Sequence, residues 1–406
     1  MGTKTAKLRP SHVPALEFPS RFGDDKARKQ CLIVMIPGNP GLVAYYEPFL
    51  ATLRHLLDEK ESQPGCRHAF HIHGRNLLGF ADEDHEPAFG TLTDGPEGPA
   101  AAEPFNLEDQ IRGVCEHLCR LNQPAPPGGS DGNDVHHGDR TRPFDEIILM
   151  GHSVGAYITV EVFHRHYLAR KAQQNRQQLP PSHDALTTLP LKSAILLFPT
   201  LTHIARSPRG QVMTFLANHI SPYNLNRLVT RPAADLLLFL LDLPFWPAWL
   251  RAGIVRRLTG GFPEHAAAAT EQFLRQRDAI WQALHMGADE MRKIGEERWE
   301  EGMWEGEGDL REVVGEEEKE EENGNVGAAG ADDADKKAKF FLFFAEKDHW
   351  VADEARAEFV ERRRNHEKGR TRVVVDEAGL PHAFCIHHSE TVAEKVHAWI
   401  QEIAGL

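Results

Sequence analysis

The chain alternates between short runs of apolar residues and longer stretches in which apolar residues recur every three to four positions. The short runs predict β-strands, and the longer stretches predict amphipathic helices. Strands are predicted at residues 31–36, 69–73, 146–150, 194–198, 339–344 and 371–375, and helices at 45–57, 107–121, 390–403 and after Ser153. This alternation is typical of a mostly parallel sheet flanked by helices, so the sequence predicts an α/β fold.

Composition and charge narrow the class of protein. The chain has 406 residues, 41% hydrophobic and 26% charged, which indicates a globular protein with one large domain or two. Its formal net charge is −14, and residues 296–335 alone carry 17 acidic and three basic side chains. Because the rest of the chain is electrically balanced, it offers no cationic surface to a phosphate backbone, and we expect no nucleic-acid partner.

Two segments interrupt the alternating pattern. Residues 123–142 are rich in Pro, Gly and Asp, and residues 296–337 form an acidic insertion. Neither segment can bury enough apolar surface to offset an ordering entropy of about 1 to 2 kcal/mol per residue. We therefore expect both to be mobile, and we favour a solvated insertion over a regulatory role for the acidic tract.

A Gly-x-Ser-x-Gly sequence joins a predicted strand to a predicted helix at residues 151–155. A nucleophile on such a tight turn needs glycine two positions to either side, because larger side chains would clash in the strained backbone. The helix that follows would direct its positive N-terminal dipole towards developing negative charge. This context predicts Ser153 as a catalytic nucleophile.

A serine needs a base, and the base needs an acid to orient it, in the chain order Ser, Asp, His. Asp348 follows the apolar strand 339–344, and His382 follows the last predicted strand. Since both lie just beyond strands, we predict a catalytic triad of Ser153, Asp348 and His382. The alternatives are Asp353 and Asp376 for the acid, and His349, His387 and His388 for the base.

The oxyanion hole should use the amide of Val154, directly after the nucleophile, and one amide from the turn after the first predicted strand. Prolines occupy two of the five positions 37–41, which leaves the amides of Gly38, Asn39 and Gly41 as donors. We predict Asn39 as the second donor. The activation of serine by a histidine implies no metal and no organic cofactor.

Several stretches together resemble one family of α/β-hydrolases. They are residues 36–41, 151–157, 197–200 and 381–384, together with Ser207, Pro208 and Gly210. In these stretches the chain is similar to the lipid droplet-associated hydrolase family. The resemblance implies an α/β-hydrolase fold and a serine hydrolase that acts on lipid esters at lipid droplets or the endoplasmic reticulum, with Ser153, Asp348 and His382 in the triad positions.

The domain organisation expected from this fold is a core interrupted by an insertion. We assign residues 1–201 and 338–406 to the hydrolase core, residues 202–295 to a mainly helical cap, and residues 296–337 to the acidic insertion. The long interval between Ser153 and Asp348 is where such folds carry a cap.

Residues 236–250 form the most apolar stretch of the chain. The stretch is shorter than the roughly 20 residues that span a bilayer, and Asp242, Pro244 and Pro247 would interrupt a helix. Trp246 and Trp249 favour a boundary between apolar and polar surroundings. Arginines flank the stretch at positions 227, 231, 251, 256 and 257. We predict shallow insertion into a lipid monolayer, with an internal lid as the alternative.

The function predicted from these features is cleavage of hydrophobic carboxylic esters, such as sterol esters or acylglycerols, through an acyl-enzyme. The expected location is the lipid droplet surface or the cytoplasmic face of the endoplasmic reticulum. We do not expect secretion, because the first 30 residues lack an apolar stretch of signal-peptide length. Two alternatives stay open: an esterase for small soluble esters, and a catalytically weak interaction protein on a hydrolase scaffold.

Overall fold

The computed structural model describes residues 7–8, 15–93, 100–123, 142–175, 185–241, 253, 257, 260–305, 339–364 and 371–406. The main sheet has seven strands. They are β1 (Ala15–Phe18), β2 (Lys29–Ile36), β3 (His68–Arg75), β4 (Glu146–His152), β5 (Leu191–Leu197), β6 (Lys339–Phe344) and β7 (Thr371–Val375). Two further pairs of short strands lie outside it, Lys7–Leu8 with His85–Glu86 and Leu92–Thr93 with Ala100–Ala101.

The strand order across the main sheet is β7, β6, β5, β4, β2, β3, β1. Neighbouring strands are parallel except for β1, which pairs antiparallel with β3 at the edge. This is the α/β-hydrolase fold predicted from the sequence. The six predicted strands are confirmed, β6 and β7 with the predicted ends and the other four with ends shifted by one to three residues. β1 was not predicted, because four residues at a sheet edge give too short an apolar pattern.

The helices, in chain order, begin with α1 (Glu47–Glu61), α2 (Leu107–Leu121), α3 (Val154–Gln174), α4 (Pro208–His219), α5 (Pro222–Leu225) and α6 (Arg231–Leu241). They continue with α7 (Glu264–Arg275), α8 (Ala279–Lys293), α9 (Glu301–Glu305), α10 (Asp353–Arg364), α11 (Phe384–His387) and α12 (Ser389–Ala404). The helices predicted at 45–57, 107–121 and 390–403 and after Ser153 are confirmed as α1, α2, α12 and α3.

Alternation along β2 distributes its side chains between two hydrophobic layers. Leu32, Val34 and Ile36 pack with the buried faces of α2 and α3. Cys31, Ile33 and Met35, one position out of phase, pack with α1 and α12 on the other side of the sheet. Because side chains in a strand point alternately to opposite faces, one continuous apolar run supplies both layers. The central strands are therefore covered by apolar side chains on both faces.

The cap helix α8 is attached to the core through a short loop before α2. Gln282 accepts from the amide of Phe105 at 2.9 Å and donates to its carbonyl oxygen at 2.7 Å. Asp289 accepts from the amide of Leu107 at 3.0 Å. These contacts fix α8 over the carboxyl ends of the strands. Two helices of the cap, α7 and α8, cover most of residues 264–293 and are separated at Gln276–Asp278.

The acidic insertion was predicted to be mobile from residue 296 onwards. This prediction is wrong for residues 296–305, which the structure describes. Trp299 and Trp304 are buried, and the indole N–H of Trp299 donates to Glu161 on α3 at 2.9 Å. Trp304 packs against Phe340 of β6 with ring centroids 4.6 Å apart. Two buried tryptophans outweigh the high local charge, so this segment packs against the core through Trp299, Met303 and Trp304. Residues 306–337 lie outside the described residues, as do residues 124–141 of the predicted linker.

The apolar stretch 236–250 is described only as far as Leu241, at the end of α6. Asp242, Pro244, Trp246, Pro247 and Trp249 lie outside the described residues. Among the helices that the structure does describe, none is long and apolar enough to cross a membrane.

Candidate active site

Ser153 occupies the turn between β4 and α3 with a strained backbone, at φ 55° and ψ −124°. A Cβ atom at Gly151 would collide with the carbonyl oxygen of Gly155, and one at Gly155 with the carbonyl oxygen of Ile36. Glycine is therefore required at both positions, as the spacing of the motif predicted. The crowded turn lifts the serine side chain above the sheet edge, next to the N-terminus of α3.

The structure brings the three predicted side chains together. The Nε2 atom of His382 lies 2.9 Å from the hydroxyl oxygen of Ser153, and its Nδ1 atom lies 2.7 Å from Oδ2 of Asp348. Because a carboxylate accepts, Nδ1 carries the hydrogen and Nε2 is free to accept from the serine. The arrangement has the order of contacts needed for nucleophilic catalysis.

The environment of Asp348 favours its ionised form. Burial raises the pKa of this carboxyl, but the hydrogen bond and the charge of His382, with the amide of Trp350, outweigh burial, so the pKa lies below its ordinary value. The amide of Trp350 donates to Oδ1 at 2.8 Å. Both carboxylate oxygens are therefore held, and the negative charge faces the imidazole.

The alternative acids and bases take other positions. Asp353 is exposed at the start of α10 and pairs with Arg356 at 3.0 Å. Asp376 is buried but accepts from the amide of Leu380 at 2.7 Å, so it shapes the loop that carries His382. The remaining candidates, His349, His387 and His388, are exposed or half-buried on the surface. Only His382 contacts the serine hydroxyl among the described residues.

The predicted oxyanion turn follows β2 and faces Ser153. The amide of Gly38 donates to the hydroxyl oxygen of Tyr46 at 3.1 Å, which occupies that donor. The amides of Asn39 and Val154 make no hydrogen bond to a described residue. Gly41 packs against Leu77 and Phe80, away from the cavity. Of the three candidate donors in the turn, Asn39 is the one that lines the cavity and whose amide makes no hydrogen bond to a described residue.

A cavity of about 280 Å³ opens above the triad. The core contributes Gly38, Asn39, Pro40, Tyr45, Tyr46, His152, Ser153, Trp350, His382, Ala383, Cys385 and Ile386, and the chain after β5 contributes Ile204, Met213, Phe262, Gly287, Glu290 and Met291. Most of these side chains are apolar. The cavity therefore suits a ligand with hydrocarbon parts next to one polar group that reaches Ser153.

Glu290 is a site residue that the sequence did not predict. Its Oε1 accepts from the side-chain amide of Asn39 at 3.0 Å, and the same amide donates to the carbonyl of Ala283 at 3.0 Å. Burial raises the pKa of Glu290 to about 8, despite the favourable hydrogen bond from Asn39. Nothing in the sequence distinguishes this glutamate from its charged neighbours, because only the docking of α8 buries it.

Two groups of potential metal ligands lie away from the cavity. In Cys31, His68 and Glu146, the carboxylate already pairs with Lys29 at 2.7 Å. The other group consists of Asp82, His85 and Asp278, and Arg277 pairs with Asp278 at 2.9 Å. Among the described residues, neither group reaches the serine.

The cap also carries an exposed apolar face. Six large apolar side chains on α4, on α6 and in the π-helical turn Asn226–Thr230 between them are more than half exposed: Val212, Phe215, Leu228, Val229, Leu236 and Phe239. Among the described residues outside the cap, the exposed side chains of this size are isolated ones: Leu92 at 72%, Leu168 on α3 at 39% and Leu406 at 36%. We call these six residues the apolar cap face. Concentrations of this kind mark surfaces that meet another apolar body.

A family model described as lipid-droplet associated hydrolase matches residues 29–385. The lipid droplet-associated hydrolase of Gallus gallus is 24% identical over 67% of this chain and 65% of its own length. That of Homo sapiens is 26% identical over 46% of this chain and 43% of its own length. The matches therefore span about half to two thirds of these relatives.

Solved structures with a similar shape include a peroxisomal α/β-hydrolase of Saccharomyces cerevisiae, 11% identical, with a TM-score of 0.46 over 97% of this chain and 90% of that one. Another is the juvenile hormone epoxide hydrolase of the silkworm Bombyx mori, also 11% identical, with a TM-score of 0.45 over 98% of this chain and 76% of that one.

Proposed function

The chain belongs to the lipid droplet-associated hydrolase family, and on that basis we propose that it is a serine hydrolase that cleaves hydrophobic carboxylic esters. The observation that carries this proposal is the continuous chain of hydrogen bonds from Asp348 through His382 to the hydroxyl of Ser153, with distances of 2.7 and 2.9 Å. An unactivated serine is a weak nucleophile, and this arrangement supplies the missing base.

In the proposed acylation step, Nε2 of His382 takes the hydroxyl proton of Ser153 while the oxygen forms a bond to the ester carbonyl carbon. The carbonyl oxygen becomes an oxyanion that accepts from the amides of Asn39 and Val154. When the tetrahedral intermediate collapses, the bond to the alcohol oxygen breaks and His382 returns the proton to that oxygen. The alcohol leaves, and the acyl group stays on Ser153.

Deacylation repeats these steps with water as the nucleophile. His382 takes one proton from the water, the hydroxide attacks the acyl carbon, and the serine oxygen leaves with the proton from His382. The products are a carboxylic acid and the free enzyme. Asp348 stays ionised throughout and stabilises the imidazolium in both halves of the reaction.

The substrate class follows from the walls of the cavity. Met213, Phe262 and Met291 of the cap line the cavity together with Trp350 and Ile386 of the core. Such a lining disfavours charged acyl groups, whose desolvation it would not offset. We therefore propose sterol esters or acylglycerols as substrates, in keeping with lipid turnover.

The apolar cap face supports association with a lipid surface. Its side chains are already solvent-exposed, so contact with hydrocarbon would remove them from water without unfolding the cap. Arg209 on α4 and Arg227 in the π-helical turn are both exposed and would meet anionic or zwitterionic head groups. We propose that this face, with the stretch 236–250, inserts shallowly into a lipid droplet monolayer or the endoplasmic reticulum surface.

The test is a comparison of lipids before and after incubation with the purified protein and with Ser153→Ala. Wild type should consume neutral lipid esters and release the corresponding carboxylic acids, while the variant should leave the same extract unchanged. Equal consumption by both proteins would refute the assignment of Ser153. Absence of any consumed ester, with both proteins folded, would favour a scaffold role.

A further inference from the structure

Two buried residues behind the triad, Tyr46 and His152, connect parts of the site that are far apart in sequence. His152 directly precedes Ser153, and Tyr46 ends the 3-10 turn before α1. The Nε2 atom of His152 lies 2.8 Å from the backbone carbonyl oxygen of His382. Its Nδ1 atom lies 2.6 Å from the hydroxyl of Tyr46, which also receives the amide of Gly38 at 3.1 Å.

The chemistry of the partners determines which atom donates in each of these three hydrogen bonds. A backbone carbonyl only accepts, so Nε2 of His152 carries its hydrogen and donates to His382. In the neutral ring Nδ1 is then an acceptor, and the hydroxyl of Tyr46 must donate to it. The oxygen of Tyr46 is left to accept from the amide of Gly38. Both ring nitrogens of His152 and the hydroxyl of Tyr46 therefore have hydrogen-bond partners.

The surroundings keep His152 neutral and fixed. Its ring makes edge contacts with Tyr46, Phe198 and Phe384 at centroid distances of 5.6, 6.2 and 5.2 Å. Burial lowers the pKa of His152 to about 3, and the nearby charge of His382 acts in the same direction. The ring therefore stays uncharged across the pH range in which a serine hydrolase works, and the direction of its hydrogen bonds does not change.

We propose that Tyr46 and His152 are positioning residues, which hold the backbone of His382 and the oxyanion turn at Gly38 in register with Ser153. The proposal rests on the hydrolase function proposed above and extends it. The hydrogen bonds of the triad do not by themselves fix the turn at Gly38 relative to the loop that carries His382, because the turn follows β2 and the loop follows β7. The chain of three hydrogen bonds crosses from one loop to the other through the residue next to the nucleophile.

The same three hydrogen bonds also orient the proposed oxyanion donor, the amide of Asn39. With the Gly38 amide held by Tyr46, the next peptide, whose amide belongs to Asn39, is set at a fixed angle to the turn. Removing the hydroxyl of Tyr46 leaves a buried amide without an acceptor, and the turn would rotate to satisfy it. Displacements of about 1 Å in such a site cost about 100-fold in rate.

The kinetic test measures the rate and the extent of Ser153 labelling by a fluorophosphonate probe. His152→Ala should slow labelling about 10- to 100-fold, and Tyr46→Phe about 10-fold. His152→Gln should stay within about threefold of wild type, because its amide can donate to His382 and accept from Tyr46. In all variants the final labelling should reach one probe per chain.

A purely structural role would give a different result. If these residues only support folding, the labelled fraction would fall while the rate constant of the folded molecules stayed at the wild-type value. Equal rate constants for His152→Ala, Tyr46→Phe and wild type would likewise overturn the proposal. Failure of His152→Gln to exceed His152→Ala would show that the hydrogen bonds are not what matters.

A second measurement does not depend on activity. In protein labelled with ¹⁵N-histidine, the His152 signals are assigned by their loss in His152→Gln. They should show a hydrogen on Nε2 and none on Nδ1, unchanged between pH 5 and 9, and Tyr46→Phe should shift the Nδ1 signal. Titration of His152 in this range, or a hydrogen on Nδ1, would overturn the proposal. An unlabelled wild-type Ser153 with the expected signals would count against the hydrolase function alone.

Discussion

The floor and the roof of the cavity are built on different principles. The floor consists of Ser153, His382 and Asp348 at the ends of parallel strands, with hydrogen bonds that leave little freedom. The roof consists of the cap helices, which expose large apolar side chains to solvent and bury the carboxyl group of Glu290 at the wall of the cavity. The comparison agrees with the two proposals made above, that the floor carries out the chemistry and that the roof contacts lipid.

The largest effect should come from the floor, with Asp348→Asn. An amide would favour the wrong tautomer of His382, and turnover should fall about 10,000-fold while the fold is retained. The measurement is steady-state hydrolysis of a soluble ester, with circular dichroism as a check of folding. The matched control is Asp353→Asn, which changes an exposed carboxylate and should leave turnover at the wild-type level. An equal loss of turnover in Asp353→Asn and Asp348→Asn would contradict the assignment of Asp348 as the acid of the triad.

The next effect concerns the turn that supports the floor. Gly155→Ala places a methyl group against the carbonyl of Ile36, so the free energy of unfolding should fall by about 3 kcal/mol or more. Urea denaturation measures this loss. Gly253→Ala serves as the control, since a Cβ there meets open space, and it should change stability by less than about 1 kcal/mol. Similar stability for both variants would contradict the geometry of the turn.

Glu290 in the roof should make stability depend on pH. Burial raises its pKa in the folded chain to about 8, whereas the unfolded carboxyl ionises near 4.5. The contribution of Glu290 to the free energy of unfolding is therefore fully present below about pH 4.5. It decreases by about 1.4 kcal/mol per pH unit between about pH 4.5 and pH 8, and it does not change further above about pH 8. Glu290→Gln cannot ionise and should lack this loss.

The measurement is urea denaturation of wild type and Glu290→Gln at several pH values. The difference in unfolding free energy between them should grow in favour of the variant from pH 5 to pH 8, because other titrating groups are common to both. A difference that does not change with pH would show that Glu290 is ionised in the folded protein.

The smallest effect should come from the apolar cap face. Phe239→Glu should weaken binding to emulsion droplets of neutral lipid about 10-fold, which corresponds to the loss of one partly buried aromatic side chain. Hydrolysis of a small soluble ester should not change. Leu168→Glu, on the exposed side of α3, is the control and should bind like wild type. Equal binding by Phe239→Glu and wild type would remove this face from the proposed lipid contact.

The floor could be predicted from the sequence because its residues follow apolar strands or sit between glycines. Ser153 and Asp348 both have such neighbours, and strand ends meet at one edge whatever the details of packing. The roles of Tyr46 and Glu290 could not be predicted, since each depends on which distant segment packs against it. The burial of Trp299 and Trp304 was not predicted either, because the surrounding acidic residues indicated a solvated segment.

The central claim is that Ser153 carries an acyl group during turnover. The direct measurement is rapid acid quenching of the purified protein with a long-chain ester, followed by mass spectrometry of its peptides. The account predicts that the peptide containing Ser153 gains the mass of the acyl chain, and that His382→Ala gains none on the same timescale. Ester cleavage by wild type without an adduct on Ser153, or with the adduct on another residue, would contradict it.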